Sequence, residues 1–104
     1  MGSLAIRSLQ ADLVAGNQIK WQALVIQPVK NAPEFNGKLE LTLSGLQNGK
    51  PWSMNLPGGA VPLQLTQYKR AEGLVDLPPQ VTVKAISAKV LDGNTSKAVL
   101  SIKL

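Results

Sequence analysis

The sequence lacks cysteine and histidine entirely. No disulfide frame, thiol nucleophile or Cys-based zinc site is therefore available, and neither is Ser-His or Cys-His catalysis or an imidazole metal site. Aromatic residues are scarce, at two Trp, one Tyr and one Phe. Charge clusters are also missing. The net charge is +5, yet Lys and Arg arrive singly along the chain and only Lys69 and Arg70 are adjacent. A nucleic-acid partner is not expected, because tracking phosphates needs a contiguous basic stripe.

Long apolar runs are missing too. The longest uncharged stretch, Pro51 to Tyr68, contains Pro51, Pro57 and Pro62 together with Ser53, Asn55, Gln64 and Gln67, so the domain is not expected to insert in a membrane. Met1-Gly2-Ser3 leads straight into patterned sequence without a basic and apolar leader. It reads as a cloning remnant or linker at 1–3, followed by one domain over 4–104. A chain of this size buries roughly two thirds of its unfolded surface around one core.

What is present is alternation with period two. Leu39, Leu41 and Leu43 face one way while Lys38, Glu40, Thr42 and Ser44 face the other, as in a half-buried strand. Ile19, Trp21, Ala23 and Val25 repeat the pattern, as do Trp52, Met54 and Leu56, then Leu63 and Leu65, and then Ala98, Leu100, Ile102 and Leu104. Two segments change phase midway. Leu4 and Ile6 give way to Leu9, Ala11 and Leu13, and Val81, Val83 and Ala85 give way to Ile86, Ala88 and Val90. A bulge or a switch of sheet explains each.

Turn residues punctuate these runs at Gly16-Asn17, Asn31 to Pro33, Asn48-Gly49, Pro57 to Gly59, Gly73, Pro78-Pro79 and Asp92 to Asn94. The pattern predicts strands over 4–14, 19–28, 37–46, 50–56, 62–72, 81–91 and 96–104. Asn48-Gly49 is the strongest hairpin signal, since a tight type I′ turn needs positive φ at both residues. About seven antiparallel strands in some 100 residues point to an all-β, immunoglobulin-like β-sandwich, with a small β-barrel as the alternative.

Glu34-Phe35-Asn36-Gly37-Lys38-Leu39-Glu40-Leu41, then Leu46-Gln47-Asn48-Gly49-Lys50, Tyr68-Lys69-Arg70-Ala71-Glu72-Gly73 and Leu77-Pro78-Pro79 form an ordered series. Together they resemble the C-terminal β domain of a family of uncharacterised proteobacterial membrane-anchored coiled-coil proteins. The resemblance implies a parent protein with one membrane helix, a coiled-coil stretch and this domain on the periplasmic side of the inner membrane. It implies no activity, cofactor or catalytic residue.

Chemistry-bearing residues are few. Glu40, Glu72, Asp76 and Asp92 are not paired by any local spacing, Ser96-Lys97 is a chance neighbour pair, and Asp92 to Thr95 holds only the start of a calcium loop. We therefore expect no enzyme, no metal and no cofactor. Tyr68, Arg70 and Glu72 share one face of a strand and suit a protein partner, because Tyr and Arg are enriched in interface hot spots. The plainer reading pairs Arg70 with Glu72 or Asp76.

The expected role is a non-catalytic protein-interaction or scaffolding domain of a bacterial envelope protein. The alternative is a small-ligand or carbohydrate module built on Phe35, Trp52, Trp21 and Tyr68, although both Trp residues sit in phase with core aliphatics. Lys20, Lys84, Lys97 and Lys103 would guard sheet edges against strand addition. Ser96 to Leu104 is the edge expected to remain open to a partner or a second copy.

Overall fold

A computed structural model describes residues 4–104. The remnant or linker expected at 1–3 lies outside the described residues. Eight antiparallel strands form two sheets. They are β1 (Ala5–Val14), β2 (Gln18–Ile26), β3 (Phe35–Gln47), β4 (Lys50–Asn55), β5 (Val61–Leu65), β6 (Tyr68–Asp76), β7 (Val81–Asp92) and β8 (Thr95–Lys103).

One sheet has the order β1-β2-β6, and the other has the order β4-β3-β7-β8 with β5 also paired to β3. The two are not closed into a barrel, so the architecture is a β-sandwich. It is elongated, with extents of 48 × 26 × 23 Å. No helix among the described residues is long and apolar enough to cross a membrane.

The expected segment 62–72 divides into two strands. Val61–Leu65 pairs with β3, whereas Tyr68–Asp76 pairs with β2 in the opposite sheet. Between them, Thr66 and Gln67 carry the chain from one sheet to the other. Leu63 and Leu65 set an alternating pattern that continues without a Gly or Pro, so the sequence offered no punctuation at the crossing.

Both phase changes are bulges. In β1 the register slips between Ile6 and Ser8, leaving Arg7 as the extra residue, and inward-facing Ile6 is followed by Leu9 and Ala11. In β7, Val83 lies opposite Gly45 and Ala85 opposite Ser44, which makes Lys84 the extra residue. Ala85 consequently faces outward, one position earlier in the switch than the alternation indicates.

The core lies between the sheets. Ile19, Trp21, Ala23, Val25 and Val75 come from one side, and Leu39, Leu41, Leu43, Leu63, Leu65, Ile86, Ala88 and Val90 from the other, all buried. Burying a large aliphatic side chain contributes about 1.5–3 kcal/mol relative to leaving it exposed, which makes this double layer the main source of stability. Leu13 lies in phase with this layer, opposite buried Ile19, but is 70% exposed at the rim of a hollow it shares with Leu77, Val81 and Leu104.

The β3–β4 hairpin turns at Asn48 and Gly49, with φ of 52° and 78°. These are the positive values required by the type I′ turn. A Cβ at Gly49 would meet open space, so a Gly49→Ala change is a purely conformational test. It should cost about 1–2 kcal/mol, read as a lower urea midpoint with an unchanged slope.

Candidate interaction edge

β6 closes one side of the three-stranded sheet and pairs only with β2. Its sequence alternates Tyr68, Arg70, Glu72, Leu74 and Asp76 outward with Lys69, Ala71, Gly73 and Val75 inward. All five outward residues are exposed, with Tyr68 at 65% and Leu74 at 61%. The structure thus brings Tyr68, Arg70 and Glu72 together on one face, as the spacing predicts, and adds Leu74 beside them.

The backbone of the same residues is also available. Gln27 N–H donates to Gln67 O at 2.8 Å, and Leu77 N–H donates to Asn17 O at 2.7 Å, immediately before and after β6. In an antiparallel ladder such bonded pairs recur every second residue. Lys69, Ala71, Gly73 and Val75 therefore bond to β2, and the amides and carbonyls of Tyr68, Arg70, Glu72, Leu74 and Asp76 point away from the sheet. Side chain and main chain of each outward residue are presented together.

The acidic residues of the strip have partners on β2. Gln22 Nε2 donates to Glu72 Oε1 at 3.2 Å, and Gln18 Nε2 donates to Asp76 Oδ1 at 2.8 Å. Each is a directly opposed cross-strand pair. Arg70 stands opposite Leu24 and Tyr68 opposite Ile26. Ser8, Gln10, Gln22, Arg70 and Glu72 line a hollow of about 100 Å³, well below the ~300–1,000 Å³ of small-molecule pockets.

Gly73 and Trp21 set the packing under the edge. Gly73 lies opposite Trp21 in the ladder, and a Cβ on Gly73 would sit 2.9 Å from Trp21 Nε1 and 3.1 Å from Cε2 and Cζ2. The missing side chain is what allows the indole to lie against β6. A cleft of about 360 Å³ separates Glu72, Gly73 and Leu74 from the Leu56–Pro62 segment, with Trp21 contributing to its lining.

Gln27 anchors the other end and is the only buried polar residue among those described, at 6% exposed. Its Nε2 donates to Pro33 O at 2.9 Å and to Thr66 O at 2.7 Å. One amide thereby joins the β2–β3 connection to the β5–β6 crossing and holds the start of β6, where Tyr68 sits. The residue was not among those expected to matter. Its signal was its phase, since the inward series Ile19, Trp21, Ala23 and Val25 runs on to Gln27.

Trp21 is buried, Trp52 and Phe35 are half-buried against the core, and Tyr68 alone of the four aromatics is exposed. Lys20 and Lys84 lie on the central strands β2 and β7, not on edges; Lys97 and Lys103 do lie on the edge strand β8. No three acidic residues converge into a metal-holding group among the described residues.

The remaining edges are irregular. β8 is bulged, with Leu91 opposite Ser96 and Val90 opposite Ala98, so that Lys97 is unmatched, and β1 packs beside it. β1 carries the Arg7 bulge. The β4 and β5 line holds Pro51 and Pro62 and is broken by Leu56–Ala60. Bulges, prolines and lysines each discourage strand addition. β6 has an unbroken register over nine residues and no proline. Comparison with protein-family models, with curated proteins and with solved structures returns no match.

Proposed function

We propose that this chain is a non-catalytic interaction domain that binds a protein partner through β6. The observation that carries this reading is the coincidence, on one regular edge, of free backbone groups with exposed Tyr68, Arg70, Glu72 and Leu74. An extended segment added there gains main-chain hydrogen bonds for affinity and side-chain contacts for specificity. β6, not the Ser96 to Leu104 strand, is the edge we assign. The pairing of the second strand with the sixth and of the third with the seventh matches the B–E and C–F pairing of immunoglobulin-like sandwiches, which serve widely as cell-surface modules.

The place of action follows from the family resemblance. We place the domain in the bacterial envelope, on the periplasmic side of the inner membrane, carried by the anchor of a longer parent protein. Proximity labelling with a functional fusion tests both parts. We expect a reproducible envelope neighbour that is lost when Tyr68→Ala and Leu74→Ala are combined, because hot-spot truncations cost about 2 kcal/mol or more, roughly 30-fold in affinity. A labelling pattern that is empty, or unchanged by the two substitutions, would remove the reading.

A further inference from the structure

The chemistry of β6 is self-complementary. Read outward from Ala71, the strand has Arg70 on one side and Glu72 on the other, and beyond them Tyr68 and Leu74 on the outward face. Reversing the strand about Ala71 places each arginine against a glutamate and each tyrosine against a leucine. We propose that β6 pairs antiparallel with β6 of a second copy about a two-fold axis at Ala71, joining two three-stranded sheets into one of six. The inference rests on β6 being the interaction edge and names its partner as this chain itself.

Three features select this register. The edge-facing amides and carbonyls belong to the even-numbered residues, so only pairings of even with even residues close hydrogen bonds between the copies. Among these, moving the axis to Glu72 sets two carboxylates against each other, moving it to Arg70 sets two guanidinium groups together, and moving it to Lys69 sets the two Lys69 side chains against each other. Moving it to Gly73 sets Arg70 opposite Asp76 but leaves Glu72 opposite Leu74 and carries Tyr68 past the end of the opposing strand. Centring on Ala71 gives two Arg70–Glu72 pairs and two Tyr68–Leu74 pairs, which are the opposite-charge and aromatic–aliphatic combinations that stabilise cross-strand neighbours.

The inward side of the strand permits the approach. Ala71 meets Ala71 of the second copy, both small, and Lys69 falls opposite Gly73, which has no side chain. An inward charge on an edge ordinarily discourages pairing. Here the opposing residue is Gly73, whose missing side chain is replaced by the Trp21 indole, and the lysine stem meets that ring at the border of the cleft between Leu74 and the Leu56–Pro62 segment. The contact is isologous, with the same residues serving both copies, as most soluble dimers require.

Charge-swapped variants test the register directly. R70E makes both charged pairs acid-to-acid, and E72R makes both base-to-base, so each alone should weaken the dimer about 10-fold or more in sedimentation equilibrium. An equimolar mixture of the two should restore association as a mixed dimer, because every pair is again opposite in sign. Both positions are exposed, and unchanged circular dichroism would establish that the variants fold.

A second variant needs no loss of stability. In the proposed register the two Ala71 residues form a non-hydrogen-bonded pair with Cα atoms about 4.5 Å apart, within disulfide reach. The chain has no other cysteine, so A71C should cross-link to a dimer on mild oxidation, and K69C should not. A wild-type chain that stays monomeric at millimolar concentration, or R70E and E72R variants that dimerise separately as well as wild type, would overturn the inference. If the chain is monomeric while labelling of an envelope neighbour still depends on Tyr68 and Leu74, self-pairing falls and the interaction edge stands. If labelling fails as well, both fall.

Discussion

Replacing Trp21 by alanine should destabilise the domain more than any change on its surface, by about 3–5 kcal/mol. Trp21 is 2% exposed and packs between the sheets against Gly73 of β6. No neighbour is placed to fill the void, since the residue opposite it on one side is Gly73 and on the other Ala11. For a domain of this length the loss should lower the melting temperature by roughly 15–30 °C, measured by thermal unfolding followed in the far ultraviolet. A loss below about 1 kcal/mol would mean that the indole is not part of the core.

The same site supplies a coupling test. Gly73→Ala alone drives a methyl group into the indole and should cost about 1–3 kcal/mol, as overpacking does. In the Trp21→Ala background the methyl group enters vacated space, so its cost should vanish or change sign. Residues in contact show such non-additivity, and distant residues do not. The pair therefore reports whether β6 is held against the core by the indole.

The second large effect concerns Gln27. Gln27→Leu keeps a side chain of similar size in the same place but leaves Pro33 O and Thr66 O without their donor. Pro33 and Thr66 are themselves exposed, so their freed carbonyls regain water in part, and the total should be about 1–3 kcal/mol. Hydrogen exchange should locate the damage. The amides of the β2–β3 connection and of Thr66 to Tyr68 should lose protection before the β3–β7 ladder does. Uniform loss across the domain would show that Gln27 does not act as a local clasp.

Most of the fold is visible in the sequence because half-buried strands write their burial as period two. Leu39, Leu41 and Leu43 show it most cleanly, and the breaks of phase near Arg7 and Lys84 are bulges in the structure. The crossing at Thr66-Gln67 was not legible. Alternation reports which residues face a core, not which sheet carries them, and Leu65 and Ala71 face the same core from opposite sheets. Lys20 and Lys84 fall on central strands for a related reason. Whether Lys20 or Lys97 guards an edge depends on strand order, which is set by pairings between distant segments.

The candidate edge was partly legible. Shared parity of Tyr68, Arg70 and Glu72 is a local property and needs no tertiary information. That their strand ends a sheet is not local, and the sequence points to Ser96 to Leu104 as the open edge instead. What separates the two in the structure is regularity: β8 has a mismatch at Lys97 and β1 as a neighbour, whereas β6 keeps one register from Tyr68 to Asp76.

The Arg7 bulge has a bearing on stoichiometry. A sheet extended through β6 has two copies of β1 as its outermost strands, each kinked at Arg7 and lying alongside β8. Neither offers the straight template on which a further strand could be laid. Growth therefore stops at two copies, and the same edge that favours association does not propagate into a fibre.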